Sequence, residues 1–215
     1  MRILTKAVLA EGLDHLCALD DDLAAVVRQF GPPPLWRRKQ GFETLICLIL
    51  EQQVSLASAR AAFNRLVEAL GGRPEAAPFL SLSDETLAAV GFSRQKMRYG
   101  RILAQEIVDG TLRLDRMRRM ADDDVRAELT RITGIGNWTA DIYLLESLGR
   151  LDIFPVGDLA LQEAAGRIKG HAARPDAAAL AEIGEAWRPW RAVATRILWH
   201  YYLNVVRKSA QTSFP

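Results

Sequence analysis

Cysteine is scarce in this chain, which has only Cys17 and Cys47 among its 215 residues. Two thiols are too few for a four-cysteine iron–sulfur cluster or an all-cysteine zinc site, and they are not closely paired in sequence. The same scarcity excludes a small disulfide scaffold. We expect both residues to be buried thiols of a reduced, cytosolic protein that carries no iron–sulfur cluster.

Long apolar runs are also missing. The longest strongly apolar run, Leu45 to Leu50, has six residues, whereas a membrane span needs about 20. The N-terminus lacks the uninterrupted apolar stretch and the cleavage site of a signal peptide. The sequence therefore predicts a soluble protein that is not exported and does not act at a membrane.

Histidine is rare, with only His15, His171 and His200 in the chain. No His-x-Glu pattern or closely spaced histidine pair occurs, and no phosphate-binding loop ends in Gly-Lys-Ser/Thr. We therefore expect neither metal-dependent hydrolysis nor ATP use. For His200, which follows Trp199, two interpretations stay open: a satisfied helix histidine or a wall of a binding pocket.

The alternation of apolar and polar residues that marks strands is absent over any useful length. Apolar residues instead recur at three- and four-residue steps, and glycines such as Gly71, Gly91 and Gly110 end the segments. Helices are predicted at 42–70 (one long or two abutting), 83–91, 95–108, 122–131, 138–148, 159–168, 176–186 and 189–206. The sequence thus predicts an all-α chain of at least eight helices, with Pro189 in the first turn of the last one.

The net charge of +2 does not by itself indicate which kind of partner the protein binds, but the charges are unevenly distributed along the chain. Between Gly91 and Arg119 there are eight basic and three acidic residues. The basic ones are Arg94, Lys96, Arg98, Arg101, Arg113, Arg116, Arg118 and Arg119. This segment is either an ordinary solvated face or a surface for a polyanion.

A Gly-x-Gly turn, Gly134-Ile135-Gly136, separates two predicted helices within residues 129–140, here called the hairpin. Two glycines so spaced permit positive φ angles and let a phosphate approach the backbone, and the next helix start, opened by Asn137, directs its N–H groups at the anion. Such a hairpin binds a sugar–phosphate backbone without reading sequence. A helix C-cap followed by an N-cap is the alternative interpretation of the same residues.

Asp158 lies twenty residues beyond Trp138, between the chain-breaking Pro155 and Gly157 and a predicted helix. At a helix start, the dipole and the free N–H groups favour an ionised carboxylate. The simplest interpretation is an N-cap. A carboxylate that caps a helix is also anionic and held in a fixed orientation, so a catalytic role is compatible with capping.

Together these features resemble the helix-hairpin-helix DNA glycosylases that have a Gly/Pro-rich loop and a catalytic aspartate. The resemblance covers about Phe42 to Leu203, most of the chain. It is greatest with the alkylpurine branch, the bacterial 3-methyladenine DNA glycosylase II group. The segments that carry it are Gly134 to Ala140, Gln52-Gln53-Val54-Ser55, and Trp187 to Arg191 followed by Trp199. One departure is Thr133, where the family often has proline.

The resemblance implies two helical lobes with an active-site cleft between them and without the extra N-terminal β-domain of some relatives. One lobe would span about residues 42–150, including the hairpin. The other would join residues 1–41 to residues 159–215. The whole chain of residues 1–215 would thus form a single glycosylase unit.

The resemblance also implies the site. Asp158 would be catalytic, and the damaged base would lie against Trp138 and Trp199, with Tyr143 and Tyr202 nearby. The residues implied in DNA binding are Gln52, Gln53, Ser55, Gly134, Gly136, Asn137 and Thr139, with Gln53 filling the gap left by the extruded base. Backbone carbonyls of Thr130, Ile132 and Ile135 would hold a sodium or potassium ion, and no cofactor would be required.

The implied function is excision of alkylated purines from double-stranded DNA by a monomeric enzyme in a prokaryotic cytoplasm, associated with the nucleoid. Trp138 stands where bifunctional relatives have a Schiff-base lysine, so hydrolysis without strand cleavage is expected. Two alternatives stay open: a thymine or uracil mismatch glycosylase on the same scaffold, and a non-enzymatic helix-hairpin-helix DNA-binding module.

Overall fold

The computed structural model describes residues 2–206, and within that range it contains helices and no strands. The α-helices are α1 (Lys6–Leu19), α2 (Asp21–Phe30), α3 (Phe42–Glu51), α4 (Leu56–Leu70), α5 (Ala76–Leu80), α6 (Asp84–Val90), α7 (Arg94–Val108), α8 (Asp122–Thr130), α9 (Asn137–Ile142), α10 (Leu159–Ile168), α11 (Ala177–Glu185) and α12 (Arg191–Tyr201). A 3₁₀ helix occupies Leu114–Arg119, and π-helical turns follow α9 at Tyr143–Leu148 and α12 at Tyr202–Val206. The all-α prediction is confirmed.

Two differences from the predicted helices concern the functional segments. The long apolar segment from Phe42 forms two helices, α3 and α4, separated by the exposed loop at residues 52–55. The last long helix begins at Arg191 with Trp190 as its N-cap, so Pro189 precedes the helix and does not lie in its first turn. The prediction for Pro189 was wrong because Trp190, with φ −106° and ψ 22°, interrupts the helical geometry.

The described chain divides into two compact units. Unit A runs from the N-terminus to Arg37 and resumes at Gly149, and unit B comprises Arg38–Leu148.

The core of unit B forms around α3, in which seven of the ten residues are buried. Phe42 packs on Phe79 with ring centroids 5.4 Å apart, and Phe79 packs on Phe92 at 5.7 Å. Tilted and edge-on aromatic contacts of this kind add to the stabilisation from apolar burial. This core fixes the C-terminal end of α3, after which the 52–55 loop begins.

An ion cluster links Arg38, the first residue of unit B, to Glu146 near the last residue of that unit. The guanidinium of Arg38 pairs with Glu51 at 3.0 Å and with Glu146 at 2.5 Å. Burial alone would lower the pKa of Arg38, but the charges of Glu146 and Glu51 outweigh it and raise the pKa. Because removing one partner would leave charges buried and unpaired, this cluster holds α3 to the π-helical turn after α9.

Unit A is built from α1, α2, α10, α11 and α12 around the buried rings of Trp187 and Trp190. The indole N–H of Trp187 donates to Asp20 Oδ2 at 2.7 Å, and Lys169 Nζ contacts the same oxygen at 2.7 Å. Burial would raise the pKa of Asp20, but the hydrogen bonds from Lys169 and Trp187 lower it below its ordinary value. Asp20, the N-cap of α2, therefore links that helix to Lys169, the C-cap of α10.

Candidate nucleic-acid interface and active site

The hairpin forms as the sequence predicts, between the end of α8 at Thr130 and the start of α9 at Asn137. Its turn is closed by a hydrogen bond from the Ile135 N–H to the Ile132 carbonyl at 3.0 Å. Gly136 is the N-cap of α9 and has no side chain to cap it. Gly136 thus supplies no side-chain oxygen to the first turn of α9, and the N–H groups of a helix start are the type of group that binds anions.

The two hairpin glycines have different roles. Gly134 has φ +96°, and a Cβ on it would overlap the ring of Tyr99, so both backbone and space require glycine. Gly136 has φ −94°, and a Cβ there would meet nothing within 4 Å. Of the two glycines, only Gly134 uses the positive φ that glycine permits, whereas Gly136 leaves the approach to the α9 N-terminus open.

A cavity of about 400 Å³ lies beside the hairpin, entirely within unit B. Its lining includes Thr130, Ile132 and Ile135 of the hairpin and Gln95, Lys96 and Tyr99 of α7. The ammonium of Lys96 donates to the Leu50 carbonyl at 2.7 Å near the end of α3, and burial lowers the pKa of Lys96. The cavity thus joins a positive charge to the backbone groups expected to hold a cation and a phosphate.

Gln52 ties the end of α3 to the hairpin. Its side-chain amide donates to the Gly134 carbonyl at 2.9 Å and to the Thr139 hydroxyl at 3.2 Å. The Thr139 side chain is buried. Both side chains are thus engaged inside unit B, where they fix the hairpin, and the DNA contacts of Gln52 and Thr139 stay predictions.

The next residues of the 52–55 loop are exposed. Gln53 has φ +56° and projects from the loop beside Val54, whose side chain is 45% exposed. A non-glycine residue with positive φ is uncommon and is held there only by its surroundings. Ser55 is the N-cap of α4, with its hydroxyl accepting from the Ser58 N–H at 3.1 Å, so its oxygen is engaged in capping.

Asp158 is the N-cap of α10 in unit A, as expected. Its Oδ1 accepts from the Leu161 N–H at 2.9 Å, and the indole N–H of Trp199 lies 3.4 Å from the same oxygen. Asp176 caps α11 with the same geometry, at 2.9 Å from the Ala179 N–H. Asp158 therefore differs from an ordinary capping aspartate in its contact with Trp199.

Trp36, which precedes the basic residues Arg37, Arg38 and Lys39 in the sequence, lies against Trp199. Its ring centroid is 6.3 Å from that of Trp199, and the ring planes meet at 74°. The signal that could have found it is a tryptophan in a proline-rich, non-helical segment. Unit A thus brings Asp158, Trp199 and Trp36 together.

His200 is a satisfied helix histidine, the first of the two interpretations. Its Nε2 lies 3.1 Å from the Phe30 carbonyl, which can only accept, and Nδ1 lies 3.4 Å from the Asn204 amide nitrogen. Both ring nitrogens of His200 thus have a hydrogen-bond partner within unit A. Tyr202 begins the π-helical turn after α12 and packs partly buried against the core of unit A.

The two aromatic residues predicted from α9 and its extension differ in exposure. Trp138 is half-buried and keeps part of its ring accessible. Tyr143 is fully buried in unit B, and its hydroxyl accepts from the Gly41 N–H at 3.2 Å. The prediction that Tyr143 lines a base pocket is corrected, because a core side chain offers no exposed face for stacking.

The basic segment of unit B is only partly neutralised. Arg101 pairs with Asp84, and Arg113 pairs with Asp115. Within the described residues, four exposed arginines of this segment have no ion pair: Arg94, Arg98, Arg116 and Arg119. These side chains supply positive charge to the unit that contains the hairpin.

Residues 2–206 contain no cluster of three or more His, Cys, Asp or Glu side chains that could hold a metal ion. No helix in that range is both long enough and apolar enough to cross a membrane.

The chain is similar to known proteins in both sequence and fold. Residues 46–189 match the HhH-GPD superfamily of base excision DNA repair proteins. A putative DNA-3-methyladenine glycosylase of Bacillus subtilis is 30% identical over 197 residues, which cover 87% of this chain and 67% of that protein. Among solved structures, a DNA-3-methyladenine glycosidase from Bacillus halodurans is 30% identical with a TM-score of 0.77, over 97% of this chain and 95% of that one.

A second solved structure, the Schizosaccharomyces pombe 3-methyladenine DNA glycosylase in complex with abasic DNA, has a TM-score of 0.81 at 26% identity. The match covers 88% of this chain and 95% of that one. These relatives confirm the resemblance to the alkylpurine glycosylases predicted from the sequence. The chain belongs to the HhH-GPD superfamily of base excision DNA repair proteins.

Proposed function

We propose that this protein is a monofunctional DNA glycosylase that hydrolyses the N-glycosidic bond of alkylated purines, of the 3-methyladenine and 7-methylguanine class, in double-stranded DNA. The observation that carries the proposal is the contact between the Asp158 carboxylate and the Trp199 indole, 3.4 Å apart. It joins a fixed negative charge to an aromatic surface. The names of the relatives, which are DNA-3-methyladenine glycosylases, support the same substrate class.

The carboxylate suits the chemistry of this bond. Hydrolysis passes through a sugar with oxocarbenium character, and a fixed anion near the anomeric carbon stabilises that charge or orients the attacking water. The Leu161 N–H holds Asp158 Oδ1, and the carboxylate lies at the N-terminus of α10. An alkylated purine is already a good leaving group, so one carboxylate suffices without a separate general acid.

Base recognition follows from aromatic chemistry. Alkylation makes the purine cationic and electron-poor, and indole faces attract such a ring by stacking and cation–π interaction. The role of Trp138, in unit B, stays a prediction from the sequence. In unit A we expect Trp199 to supply such a face, with Tyr202 as a further neighbour. To reach them the base must leave the duplex, and Gln53, exposed on its loop, is the side chain we expect in the vacated space.

DNA binding is proposed to use backbone groups of unit B. The N–H groups at the start of α9, from Asn137 onward, would bind a phosphate, with Gly136 leaving the approach open. Carbonyls of Thr130, Ile132 and Ile135, which border the cavity, are proposed to hold a sodium or potassium ion against the same phosphate. The exposed arginines would add sequence-independent attraction.

Trp138 stands where a lysine would be needed for a covalent intermediate, so the product should be an intact abasic site. Borohydride trapping of a reaction mixture tests this directly. A covalent protein–DNA adduct in high yield would overturn the monofunctional proposal. We further propose that the protein acts as a monomer in the cytoplasm, associated with the nucleoid.

The decisive experiment is release of free bases from methylated DNA, measured by chromatography. The proposal predicts release of 3-methyladenine and 7-methylguanine. Release only of thymine or uracil from mismatched duplexes would replace it with the mismatch alternative. Tight DNA binding with no base release from any duplex would indicate a non-enzymatic module.

A further inference from the structure

The short loop before α10 carries Asp158, and two backbone hydrogen bonds shape it. The Val156 N–H donates to the Phe154 carbonyl at 2.9 Å, and the Asp158 N–H donates to the Pro155 carbonyl at 2.9 Å. Phe154 and Pro155 are buried, so the loop begins from a fixed point in the core of unit A. The direction of the Asp158 side chain therefore depends on the geometry of this turn.

A buried glutamine of α10 holds the same loop from the helix side. The side-chain amide of Gln162 donates to the Val156 carbonyl at 2.8 Å, and the Gln162 N–H donates to the Asp158 carbonyl at 2.9 Å. Gln162 is only 7% exposed. Glutamine is mostly found exposed, and burying its amide costs free energy unless the amide is hydrogen-bonded. The bond to Val156 is thus what a glutamine supplies here and an apolar side chain of similar size could not.

A helix that begins at an aspartate N-cap does not need such a bond. The other two described helices of unit A that begin in this way are α2 and α11. The position four residues after their caps is apolar: Ala24 after Asp20, and Leu180 after Asp176. Neither side chain has a hydrogen-bond donor. The bond from Gln162 therefore serves the loop that carries Asp158 and is not part of capping itself.

We propose that Gln162 is a positioning residue for base release, which sets the direction of the Asp158 carboxylate by holding the Val156 carbonyl. The inference rests on the proposed function and deepens it. A fixed charge stabilises a transition state only from the productive geometry, and a displacement of about 1 Å can lower a rate about 10²-fold. Loss of the bond from Gln162 should therefore slow base release without weakening DNA binding.

Gln162→Leu tests this role, because leucine keeps the approximate size of the side chain and removes its donor. Single-turnover release of 3-methyladenine from methylated DNA should fall roughly 10- to 100-fold, while affinity for abasic DNA stays within about 2-fold of wild type. Gln162→Met is measured beside it, so that the result does not depend on how leucine packs, and thermal unfolding shows which variants are folded.

Gln105→Leu is the control for the chemical change. It also removes a side-chain amide from a helix, in this case from α7 of unit B, where the amide donates to Asp109 at 2.7 Å. Release by Gln105→Leu should equal that of wild type. Release by folded Gln162→Leu and Gln162→Met at the wild-type rate would overturn the inference.

A double-mutant cycle shows whether Gln162 acts through Asp158. Asp158→Asn removes the charge that Gln162 is proposed to direct, so adding Gln162→Leu to that variant should lower the rate no further. Losses at coupled residues are non-additive in this way, whereas independent losses add. A further loss as large as that of Gln162→Leu alone would make Gln162 a general support of unit A and would overturn the inference.

NMR signals of the indole N–H groups report the position of Asp158 without any base release. The indole N–H of Trp199 lies 3.4 Å from Asp158 Oδ1, whereas that of Trp187 donates to Asp20 Oδ2 in the same unit. In isotope-labelled Gln162→Leu, the assigned Trp199 signal should shift and the Trp187 signal should keep its wild-type position. Movement of both signals would indicate a general disturbance of unit A, and movement of neither would show that Asp158 is independent of Gln162. Either result would overturn the inference.

The two kinds of measurement separate this inference from the proposed function. If the Trp199 signal moves alone but wild type releases no base from methylated DNA, the proposed function fails and the positioning of Asp158 by Gln162 stands. If wild type releases 3-methyladenine and Gln162→Leu releases it at the same rate, the inference alone fails.

Discussion

The side-chain amide of Gln52 donates to the carbonyl of Gly134 at 2.9 Å, which fastens the loop after α3 to the hairpin turn. The loop that carries the exposed Gln53 and the turn that presents the N–H groups of α9 are thus one assembly within unit B. The same amide also reaches the buried Thr139 hydroxyl at the start of α9.

Gln52→Leu should therefore lower both stability and DNA affinity. It leaves the Gly134 carbonyl and the Thr139 hydroxyl without their donor, which costs about 1–3 kcal/mol in the free energy of unfolding. Urea unfolding and DNA titration measure the two effects. Gln53→Ala, at the exposed neighbouring position, is the control for stability and should unfold as wild type does. Equal unfolding of Gln52→Leu and wild type would contradict the role given to Gln52.

Replacing the two hairpin glycines with alanine should change the stability of the protein by different amounts. Gly134→Ala places a Cβ into Tyr99 at a positive φ, so it should destabilise the protein by about 1–3 kcal/mol. Gly136→Ala adds its Cβ in open space and should be near neutral. Chemical unfolding measures the free energy of unfolding of both variants. Similar values would show that Tyr99 moves aside freely and would contradict the prediction.

Gly136→Asp should weaken binding to every duplex, damaged or not. It adds bulk and negative charge where a phosphate is proposed to lie, while the open space around Gly136 lets the fold survive. Gly72→Asp makes the same chemical change at another open glycine of unit B and serves as the matched control. Affinities for undamaged and abasic DNA are compared in one buffer. A loss confined to damaged DNA, or an equal loss in Gly72→Asp, would count against the hairpin as the phosphate site.

The sequence predicts buried thiols, whereas the structure leaves Cys17 and Cys47 half-buried, and alkylation tests how reactive they are. Burial, followed by the charge of Glu51, raises the pKa of Cys47 to about 12, and burial also raises the pKa of Cys17. A raised pKa means less thiolate at a given pH, so at pH 8 Cys47 should alkylate with iodoacetamide roughly 10²–10³-fold more slowly than free cysteine. Mass spectrometry follows the labelling, and urea-unfolded protein is the control. Complete labelling of native Cys47 within minutes would contradict this environment.

Local patterns predicted much of this architecture, because helices and their caps are encoded within a few residues. The hairpin and the N-cap Asp158 could be located this way. The partners of Trp36 could not, since Arg196 lies 160 residues further along the chain and nothing local links them. Tyr143 was misplaced because helical spacing alone does not distinguish a core aromatic residue from one that faces a site.

The central claim is that the charge of Asp158 drives base release, and Asp158→Asn tests it most directly. Asparagine retains the size of the side chain and much of the cap on Leu161, so the protein should fold while losing the anion. Asp176→Asn removes the charge from a cap of the same geometry on α11 and is the matched control.

The measurement is single-turnover release of 3-methyladenine from methylated DNA by wild type and both variants. We predict a loss of about 10²–10³-fold for Asp158→Asn, the typical cost of removing one well-placed charge stabiliser, and no loss for Asp176→Asn. A folded Asp158→Asn protein that releases 3-methyladenine at near wild-type rate would contradict the account and leave Asp158 as a helix cap alone.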